Sequence, residues 1–431
     1  IAYDWMYDGF SEEQREKIAN ALKSEGLTHI RNSYYGRNYI TGTFGRSDTF
    51  ATWGSNFNTV INGGGVVGAL AIAETDKEFC FDIVEKAIRS FEYVPPLFLP
   101  NGSWEEGVMY WGYNAVYLEK FMGTLDTALG TDFGITNAKG MKDTVMYAIS
   151  QTSWEGINNF HDAAPGGLDM RAISWLAKKF DNADVMRYRR FAYENYNKIY
   201  DVYDPIFYDP EKAKGSPELP LDHYTKGIEA AASRGSFEDR EALYFAAHAG
   251  PTTCYHSQDD VGTFVFDLLG VRWAMDFGKD SYTTLALARD LYMKRPEGHN
   301  TIVINPDEET GQIANTYSPM IRYESKPKGS IFVYDMSEPY SDDASKVLRG
   351  FMTGDERRSL TIRDEIDLKA NNSTVYWFMQ TKADVEVTQN GAILRKDERE
   401  LKLEFDTNAK AEITAAPAAP LPSSPHLEED K

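Results

Sequence analysis

Apolar residues in the first half of the chain recur at the spacing of amphipathic helices. The first such segment has a clear start, since Ser11 can cap a helix and Gln14 can complete a capping box with it. Ile18 and Leu22 then follow on one helical face, and Gly26 ends the run. Repeated helices without a strand pattern indicate helical hairpins around a common core. Further helices are predicted at residues 57–73, 78–92, 110–129, 141–152, 168–180 and 183–201.

A different pattern begins after about residue 240, where short runs alternate polar and apolar residues between turn residues. Prolines at 205, 210, 217 and 220 interrupt any helix before this change. The pattern predicts an antiparallel sheet region, arranged as a sandwich. Its strands are predicted at 301–304, 330–334, 359–362, 373–378, 385–387 and 401–405.

These patterns predict a multidomain α+β protein, and a length of 431 residues is in the range expected for two or three domains. Residues 1–235 form the predicted helical domain, and residues 236–414 form the predicted antiparallel β-sandwich domain. Residues 415–431 are rich in Ala and Pro and are predicted to be a linker or a frayed end.

Composition limits the classes of partner. A net charge of −21 repels phosphate backbones, so no nucleic-acid partner is expected. The longest apolar run, at 66–73, is far below the ~20 residues that cross a bilayer, so no membrane insertion is expected. The chain starts at Ile1 without a signal-peptide pattern, which indicates processing or a larger parent chain. Aromatic residues make up 13% of the chain and can line sugar-binding surfaces.

Three segments carry residues suited to chemistry. In the first, Asn56, Asn58 and Asn62 precede an apolar helix, where they can act as helix caps or donate to a carboxylate. Asn58 and Asn62 are four residues apart and would share one helical face.

The second segment, residues 101–113, contains Trp104, Tyr110, Trp111 and Tyr113. It can be a loop followed by an aromatic core helix, or it can hold a tyrosine near a carbohydrate with a tryptophan as the stacking plane. In the third segment, His256 and His299 each precede a strand-like run, so both can lie at a sheet edge.

Together these segments resemble the heparinase II/III-like polysaccharide lyase family. The resemblance rests on residues 256–282 and 297–301, on the Asn-rich turn before Gly63, and on Glu106-Gly107 leading to Tyr110. These motifs occur in the order expected for the family. The resemblance implies an (α/α) toroid followed by an antiparallel β-sandwich, with the toroid N-terminally incomplete in this chain.

The family resemblance also implies β-elimination on a uronic-acid-containing acidic polysaccharide. Such a reaction must neutralise the uronate carboxylate, remove the proton at C5 and protonate the departing O4. The resemblance assigns the neutralising role to Asn62, with Asn58 as second choice. It assigns proton transfer to Tyr110, with Tyr113 as the alternative. The other transfer falls to His256, and Glu106 can orient one of these groups.

The substrate would contact aromatic planes and cationic side chains, and the chemistry requires no cofactor. Some relatives carry a structural zinc on a His-x-His, Asp, His pattern. Asp276 and His299 match it here, whereas Gln258 replaces one expected histidine and is a poor zinc ligand. The predicted substrate-binding residues are Trp53, Trp104, Trp111, Arg171 and Arg295, and Arg46 and Lys294 are further cationic candidates.

Two other functions remain open at this point. One is a glycoside hydrolase that pairs Glu105 or Glu106 with Asp259 or Asp260. The other is a non-catalytic carbohydrate-binding homologue, which the glutamine at position 258 favours. A homo-oligomer is compatible with the sequence, and the resemblance implies a bacterial secreted, periplasmic or cell-envelope location.

Overall fold

The structure, a computed structural model, describes residues 1–37, 49–195, 201–279, 291–307 and 311–427. The chain divides into two compact units. The helical unit comprises Ile1–Trp104, Tyr110–Val145 and Asp169–Pro217, and the sheet unit comprises Glu105–Met109, Met146–Leu168 and Glu218–Lys431.

The predicted helices are present, with shorter bounds in several cases. The capping box at Ser11 is formed, because its hydroxyl accepts from the Gln14 amide and the Gln14 side chain accepts from the Ser11 amide. A π-helical turn, Leu22–Leu27, continues this helix towards the next one. The helices are α1 Ala2–Trp5, α2 Glu12–Ala21, α3 Thr28–Tyr34, α4 Asn56–Ala71, α5 Lys77–Phe91, α6 Gly107–Leu129, α7 Thr144–Ser150, α8 Ile173–Lys179, α9 Ala183–Asn195 and α10 Asp204–Phe207.

Close approach of α4 and α6 fixes the helical core. A Cβ atom on Gly63 would come within 2.9 Å of the Tyr117 carbonyl oxygen, so only glycine allows this spacing. Asp76 is the N-cap of helix α5, and its carboxylate accepts a hydrogen bond from the Phe79 amide. The buried residues of this helix recur every three or four positions, from Cys80 to Phe91, and form the apolar face that packs inward.

The sheet unit is antiparallel in every described strand pair. The strands are β1 Thr152–Ser153, β2 Gly156–Ile157, β3 Asp222–Thr225, β4 Ala230–Arg234, β5 Tyr244–Ala247, β6 Gly250–Pro251, β7 Phe264–Leu268, β8 Val271–Ala274, β9 Ile302–Ile304, β10 Tyr317–Ser318, β11 Met320–Lys326, β12 Gly329–Asp335, β13 Ala344–Gly354, β14 Ser359–Leu368, β15 Val375–Trp377, β16 Asp384–Thr388, β17 Gly391–Lys396 and β18 Arg399–Glu404. The largest sheet has the order β3-β4-β5-β7-β8, and a second sheet has the order β11-β12-β13-β14. A three-stranded sheet, β16-β17-β18, and three two-stranded pairs, β1-β2, β10-β6 and β15-β9, complete the described strands.

The two larger sheets share one apolar core. Phe245 of β5 lies with its ring centroid 5.4 Å from that of Phe332 and 5.6 Å from that of Phe351. Phe264 of β7 lies 5.8 Å from Phe351 in an edge-on arrangement. Aromatic pairs at such distances add to the free energy of burial. The apolar side chains of the alternating strands therefore point inward from both sheets.

The strands begin earlier than the sequence predicted. Strands β3 and β4 lie inside residues 1–235, which were expected to be helical. Strand β4 is mostly alanine and is buried at every position, so it shows no polar alternation that would indicate a strand. The predicted frayed end is held at Ser424, which is buried and donates to the Glu297 carboxylate at 2.6 Å.

Arg349 of β13 links the second sheet to the loops above it. It is fully buried and donates two hydrogen bonds to Asp364. It also donates to the carbonyl oxygens of Gly262 and Asn300, both at 2.9 Å. The guanidinium therefore anchors the two loop segments that follow Asp260 and His299 in sequence. Among the described residues, no helix is long and apolar enough to cross a membrane.

Replacing Arg349 with Met is expected to lower the free energy of unfolding by about 3–5 kcal/mol. The substitution leaves Asp364 without its buried partner and removes donors from two carbonyl groups. Arg363→Met on the neighbouring strand is the control, because its pair with Glu365 is exposed and should contribute less than about 1 kcal/mol. Urea denaturation measures both, and equal losses would contradict the role of Arg349.

Candidate active site

His256 and Asp162 form the centre of the candidate site in the sheet unit. The Asp162 amide donates to the His256 carbonyl at 3.2 Å, and His256 Nδ1 lies 3.3 Å from Asp162 Oδ2. Asp162 lies in the loop after β2, and His256 lies in the loop between β6 and β7. His256 has φ of 62°, which is uncommon for a residue with a side chain and recurs at functional sites.

The Asp162 carboxylate has three side-chain donors. Besides His256, it accepts from Gln258 Nε2 at 2.8 Å and lies 2.9 Å from Lys294 Nζ. Burial raises the pKa of Asp162, but the bonds from these three groups outweigh burial and lower the pKa to about 2. An ionised carboxylate only accepts hydrogen bonds, so His256 Nδ1 carries the proton that it donates. Proton transfer by this ring would therefore use its other nitrogen, Nε2.

A second carboxylate faces that nitrogen. Glu106 Oε1 lies 3.9 Å from His256 Nε2, and Glu106 is buried. His256 keeps about a fifth of its side-chain surface exposed, so it remains reachable from solvent. The imidazole thus lies between a carboxylate that orients it and a second one that can stabilise a positive charge on the ring.

A cleft of about 310 Å³ lies beside these groups. Its wall includes Lys294 and Gln258, two of the three donors to Asp162, together with residues next to His256 in sequence. A cleft of this size can hold a sugar-sized group. Its lining residues are Thr253, Ser257, Gln258, Asp259, Lys294, Ala314 and Asn315.

The two predicted asparagines lie together in the helical unit. Asn62 donates to Asn58 Oδ1 at 2.7 Å and to Ser90 Oγ at 2.9 Å, and it accepts from the Tyr34 hydroxyl at 2.6 Å. Asn58 Nδ2 donates to Ser90 and to the carbonyl oxygens of Phe50 and other residues. Both side chains are fully buried, so a substrate carboxylate could bind them only by displacing these partners.

The predicted tyrosines lie on α6 in the helical unit, where Tyr110 is half-buried and Tyr113 is exposed. The Tyr113 ring packs edge-on against Tyr117 with centroids 5.4 Å apart. Burial and then the neighbouring Tyr117 raise the pKa of Tyr113. The Tyr113 hydroxyl therefore stays protonated at neutral pH and suits an acid better than a base.

Two of the predicted stacking residues are corrected by burial. Trp104 and Trp111 are both fully buried, and Trp111 Nε1 donates to Thr144 Oγ1 at 2.8 Å, so neither offers a face to a sugar. Their segment is a loop and an aromatic core helix. Trp53 is 54% exposed and keeps an accessible ring.

The predicted cationic residues are engaged with acids. Arg171 forms a two-pronged pair with Asp169 and is partly exposed. Arg295 is buried and pairs with Glu297 at 3.0 Å, which leaves it no surface for a substrate. Arg46 lies outside the described residues.

The metal site expected from the family resemblance does not fit these side chains. Asp276 Oδ2 accepts from His299 Nδ1 at 2.8 Å, and Asp276 Oδ1 accepts from the Gly278 amide at 2.8 Å. Both carboxylate oxygens therefore already accept a hydrogen bond, and one of these bonds comes from His299 itself. His299 Nε2 and Gln258 Oε1 are buried without a hydrogen-bond partner, which leaves only two ligand atoms, one of them an amide oxygen.

Sequence analysis missed Asp162, which orients His256. The two residues are 94 positions apart, and Asp162 lies in a stretch without a motif. Lys294 was expected to act on the substrate, yet its charge is directed at Asp162. The hydrolase pair loses one candidate, because Asp260 is buried between His161 and His248.

Comparisons with known proteins point to one family. Residues 231–424 match the family model described as heparinase II/III-like, C-terminal. The match covers less than half of the chain, and it confirms the predicted resemblance over these residues. No curated protein sequence matches the chain.

Solved structures of similar fold carry related names. The crystal structure of heparinase III matches with a TM-score of 0.65 and 11% identity. The match covers 83% of this chain and 55% of the heparinase III chain. A heparinase III gene product with methylated lysines matches with a TM-score of 0.64 and 15% identity. This match covers 89% of the present chain and 53% of the gene product. Heparan sulfate lyase HepC from Pedobacter heparinus matches with a TM-score of 0.57 and 13% identity. This match covers 90% of the present chain and 59% of the lyase. The chain thus spans little more than half the length of these structures, and at such identities the likeness concerns the fold.

Asp162→Asn is expected to flatten the dependence of stability on pH in acid. The pKa of Asp162 is about 2 in the folded state against about 3.9 in an unfolded chain, so its stabilisation is present above pH ~4 and is lost towards pH 2. The variant should lose about 2 kcal/mol of stability at pH 7 and little at pH 2. Urea denaturation at several pH values measures this difference.

Asp181→Asn is the matched control, because the bond from Lys212 also lowers the pKa of Asp181 but the pair is exposed and screened by solvent. It should leave the pH profile close to that of the unmodified protein. Parallel profiles for Asp162→Asn and the unmodified protein would contradict the stabilising role of the Asp162 carboxylate.

Proposed function

We propose that the protein is a polysaccharide lyase that cleaves a uronate-containing acidic polysaccharide by β-elimination. The observation that carries this proposal is the arrangement of His256, whose Nδ1 is held by Asp162 while Nε2 faces Glu106. The geometry fits a proton-transfer group that must change charge during the reaction. The family match over residues 231–424 and the heparinase III fold support the same reaction class.

In this proposal His256 Nε2 accepts the proton that leaves C5 of the sugar. The electron pair of the C5–H bond becomes the C4=C5 double bond, and the C4–O4 bond breaks. O4 leaves with a proton from the second transfer group, for which Tyr110 is the first candidate and Tyr113 the alternative. Asp162 stabilises the imidazolium while the ring carries both protons.

Neutralisation of the substrate carboxylate is the demanding step, because charge develops there as C5 loses its proton. Asn62 and Asn58 remain the proposed donors, and binding would exchange their bonds to Tyr34 and Ser90 for bonds to the carboxylate. Lys294 in the cleft wall adds a positive charge that offsets the overall charge of −21 near the site.

The second candidate function is carbohydrate binding without catalysis. It is favoured by the engagement of both asparagine side chains within the helical unit. Such a protein would bind the same acidic polysaccharide and release no product. The paired-carboxylate hydrolase is less favoured, since Asp260 is enclosed.

The finer architecture is part of the proposal. An (α/α) toroid followed by an antiparallel β-sandwich is consistent with the order of helices and sheets and with the heparinase III fold. A secreted, periplasmic or cell-envelope location would place the enzyme where long acidic polysaccharides occur.

The test is ultraviolet absorbance over time with heparan sulfate, chondroitin, hyaluronan and alginate. Elimination creates a C4–C5 double bond conjugated to the carboxylate, which absorbs, whereas hydrolysis does not. His256→Ala should lower kcat by about 10²–10⁴-fold on the polymer that reacts, and Tyr110→Phe should do the same. His29→Ala is the control, because His29 lies on the exposed face of α3.

Each result has a distinct meaning. If the ultraviolet absorbance still rises in Tyr110→Phe, the role of protonating O4 passes to Tyr113. New reducing ends without absorbance would contradict elimination and favour hydrolysis. Binding of a polymer with neither signal would favour the non-catalytic function. Full activity in His256→Ala would overturn the proposed centre.

A further inference from the structure

A second cluster of buried side chains lies behind the candidate site, within the sheet unit. It consists of His161, His248 and Asp260, each offering one ligand atom, and these three atoms all lie within 4.8 Å of one another. His248 Nε2 is 3.0 Å from Asp260 Oδ2, and His161 Nδ1 is 4.0 Å from the same oxygen. It is the single group of three or more His, Cys, Asp or Glu side chains with metal-ligand spacing in the described part of the chain.

The hydrogen bonds around the cluster leave its two ligand nitrogens unused, while Asp260 Oδ2 accepts from the His161 amide at 3.3 Å. His248 Nδ1 lies 3.0 Å from the Ala249 carbonyl oxygen, to which it can only donate, so Nε2 presents its lone pair. This nitrogen is close to Asp260 Oδ2 but is not aligned for a hydrogen bond, and His161 Nδ1 also has no partner. Their side chains are 97% and 92% buried, so bulk water does not reach them. The lone pair of His248 Nε2 thus faces a carboxylate oxygen, which is repulsive unless a positive charge lies between them.

We propose that His161 Nδ1, His248 Nε2 and Asp260 Oδ2 bind a structural zinc ion. Zinc takes nitrogen and oxygen ligands at about 2.0–2.1 Å, which places the ligand atoms of a tetrahedral site about 3.3 Å apart. The observed 3.0 and 4.0 Å reach that spacing through shifts below 1 Å. The bond from His248 to the Ala249 carbonyl is the outer contact that holds a ligating histidine in the correct tautomer.

The space beside the cluster favours zinc over a redox metal. A cavity of about 10 Å³ is lined by both histidines, by Asn158 and by Gln151. This volume is about that of one water molecule, which would complete a four-coordinate site. Asn158 Oδ1 is buried without a partner and can accept a hydrogen bond from that water. An iron site of two histidines and a carboxylate needs open positions for substrates, for which the cavity has no room.

The proposed ion would join three separate chain segments. His161 lies in the loop after β2, His248 follows β5, and Asp260 precedes β7. His161 adopts φ of 60°, a conformation that a metal bond would stabilise against its intrinsic cost. Its neighbour Asp162 holds His256, so the ion would also fix the backbone on which the candidate site depends. This inference does not depend on the proposed lyase activity, because it concerns metal content and stability.

The test is zinc content in tag-free protein that is stripped with a chelator, supplied with Zn²⁺ and dialysed. We expect one zinc per chain by mass spectrometry, and a loss to below a tenth of that in His248→Ala and Asp260→Asn. His29→Ala and His299→Gln are the controls and should keep the zinc. His299→Gln separates this cluster from the Asp276–His299 pair. Zinc that is absent from the unmodified protein, or that is lost with His299 and kept without His248, would overturn the proposal.

Folding of the variants is checked by circular dichroism, and a direct measurement remains if they fail to fold. Anomalous diffraction at the zinc edge from crystals of the unmodified protein should place a peak about 2 Å from the three ligand atoms. No peak at this position in zinc-treated crystals would overturn the proposal independently of any variant.

Discussion

One buried, ionised carboxylate holds the candidate site together. Asp162 is the common acceptor for His256, Gln258 and Lys294, and all three contacts would weaken if the charge were removed. Lys294 is a buried cation, so the loss of this anion would be costly. Because Asp162 stays ionised down to a pH of about 2, the orientation of His256 is fixed throughout the neutral range.

Two adjacent residues, His161 and Asp162, belong to two separate polar clusters inside the sheet unit. His161 points to Asp260 and His248, whereas Asp162 points to His256, Gln258 and Lys294. The left-handed backbone at His161 makes this divergence possible. The loop after β2 thereby contributes both an orienting group for proton transfer and, as proposed, a metal ligand. Its segment of the sheet unit, Met146–Leu168, lies in sequence between two segments of the helical unit.

Periodicity predicted the elements that have one apolar face. Helix α5 and strand β12 lie within one residue of their predicted bounds. Burial recurs every three or four residues in the helix and every second residue in the strand, and both patterns are readable in the sequence. Strand β4 was missed because a fully buried alanine-rich strand has no alternation. Trp104 was assigned to a sugar and is core, since composition alone does not separate an exposed ring from a buried one. Asp162 could not be found at all, because only the fold brings it to His256.

The central claim is that Asp162 fixes the tautomer of His256, and nitrogen NMR of protein labelled at histidine tests it most directly. At a pH where the ring is neutral, the His256 signals, assigned by their absence in His256→Gln, should report a proton on Nδ1 and none on Nε2. Asp162→Asn should give a mixture of both tautomers. A proton on Nε2 in the unmodified protein would contradict the account, because Asp162 would then not be the acceptor for this ring.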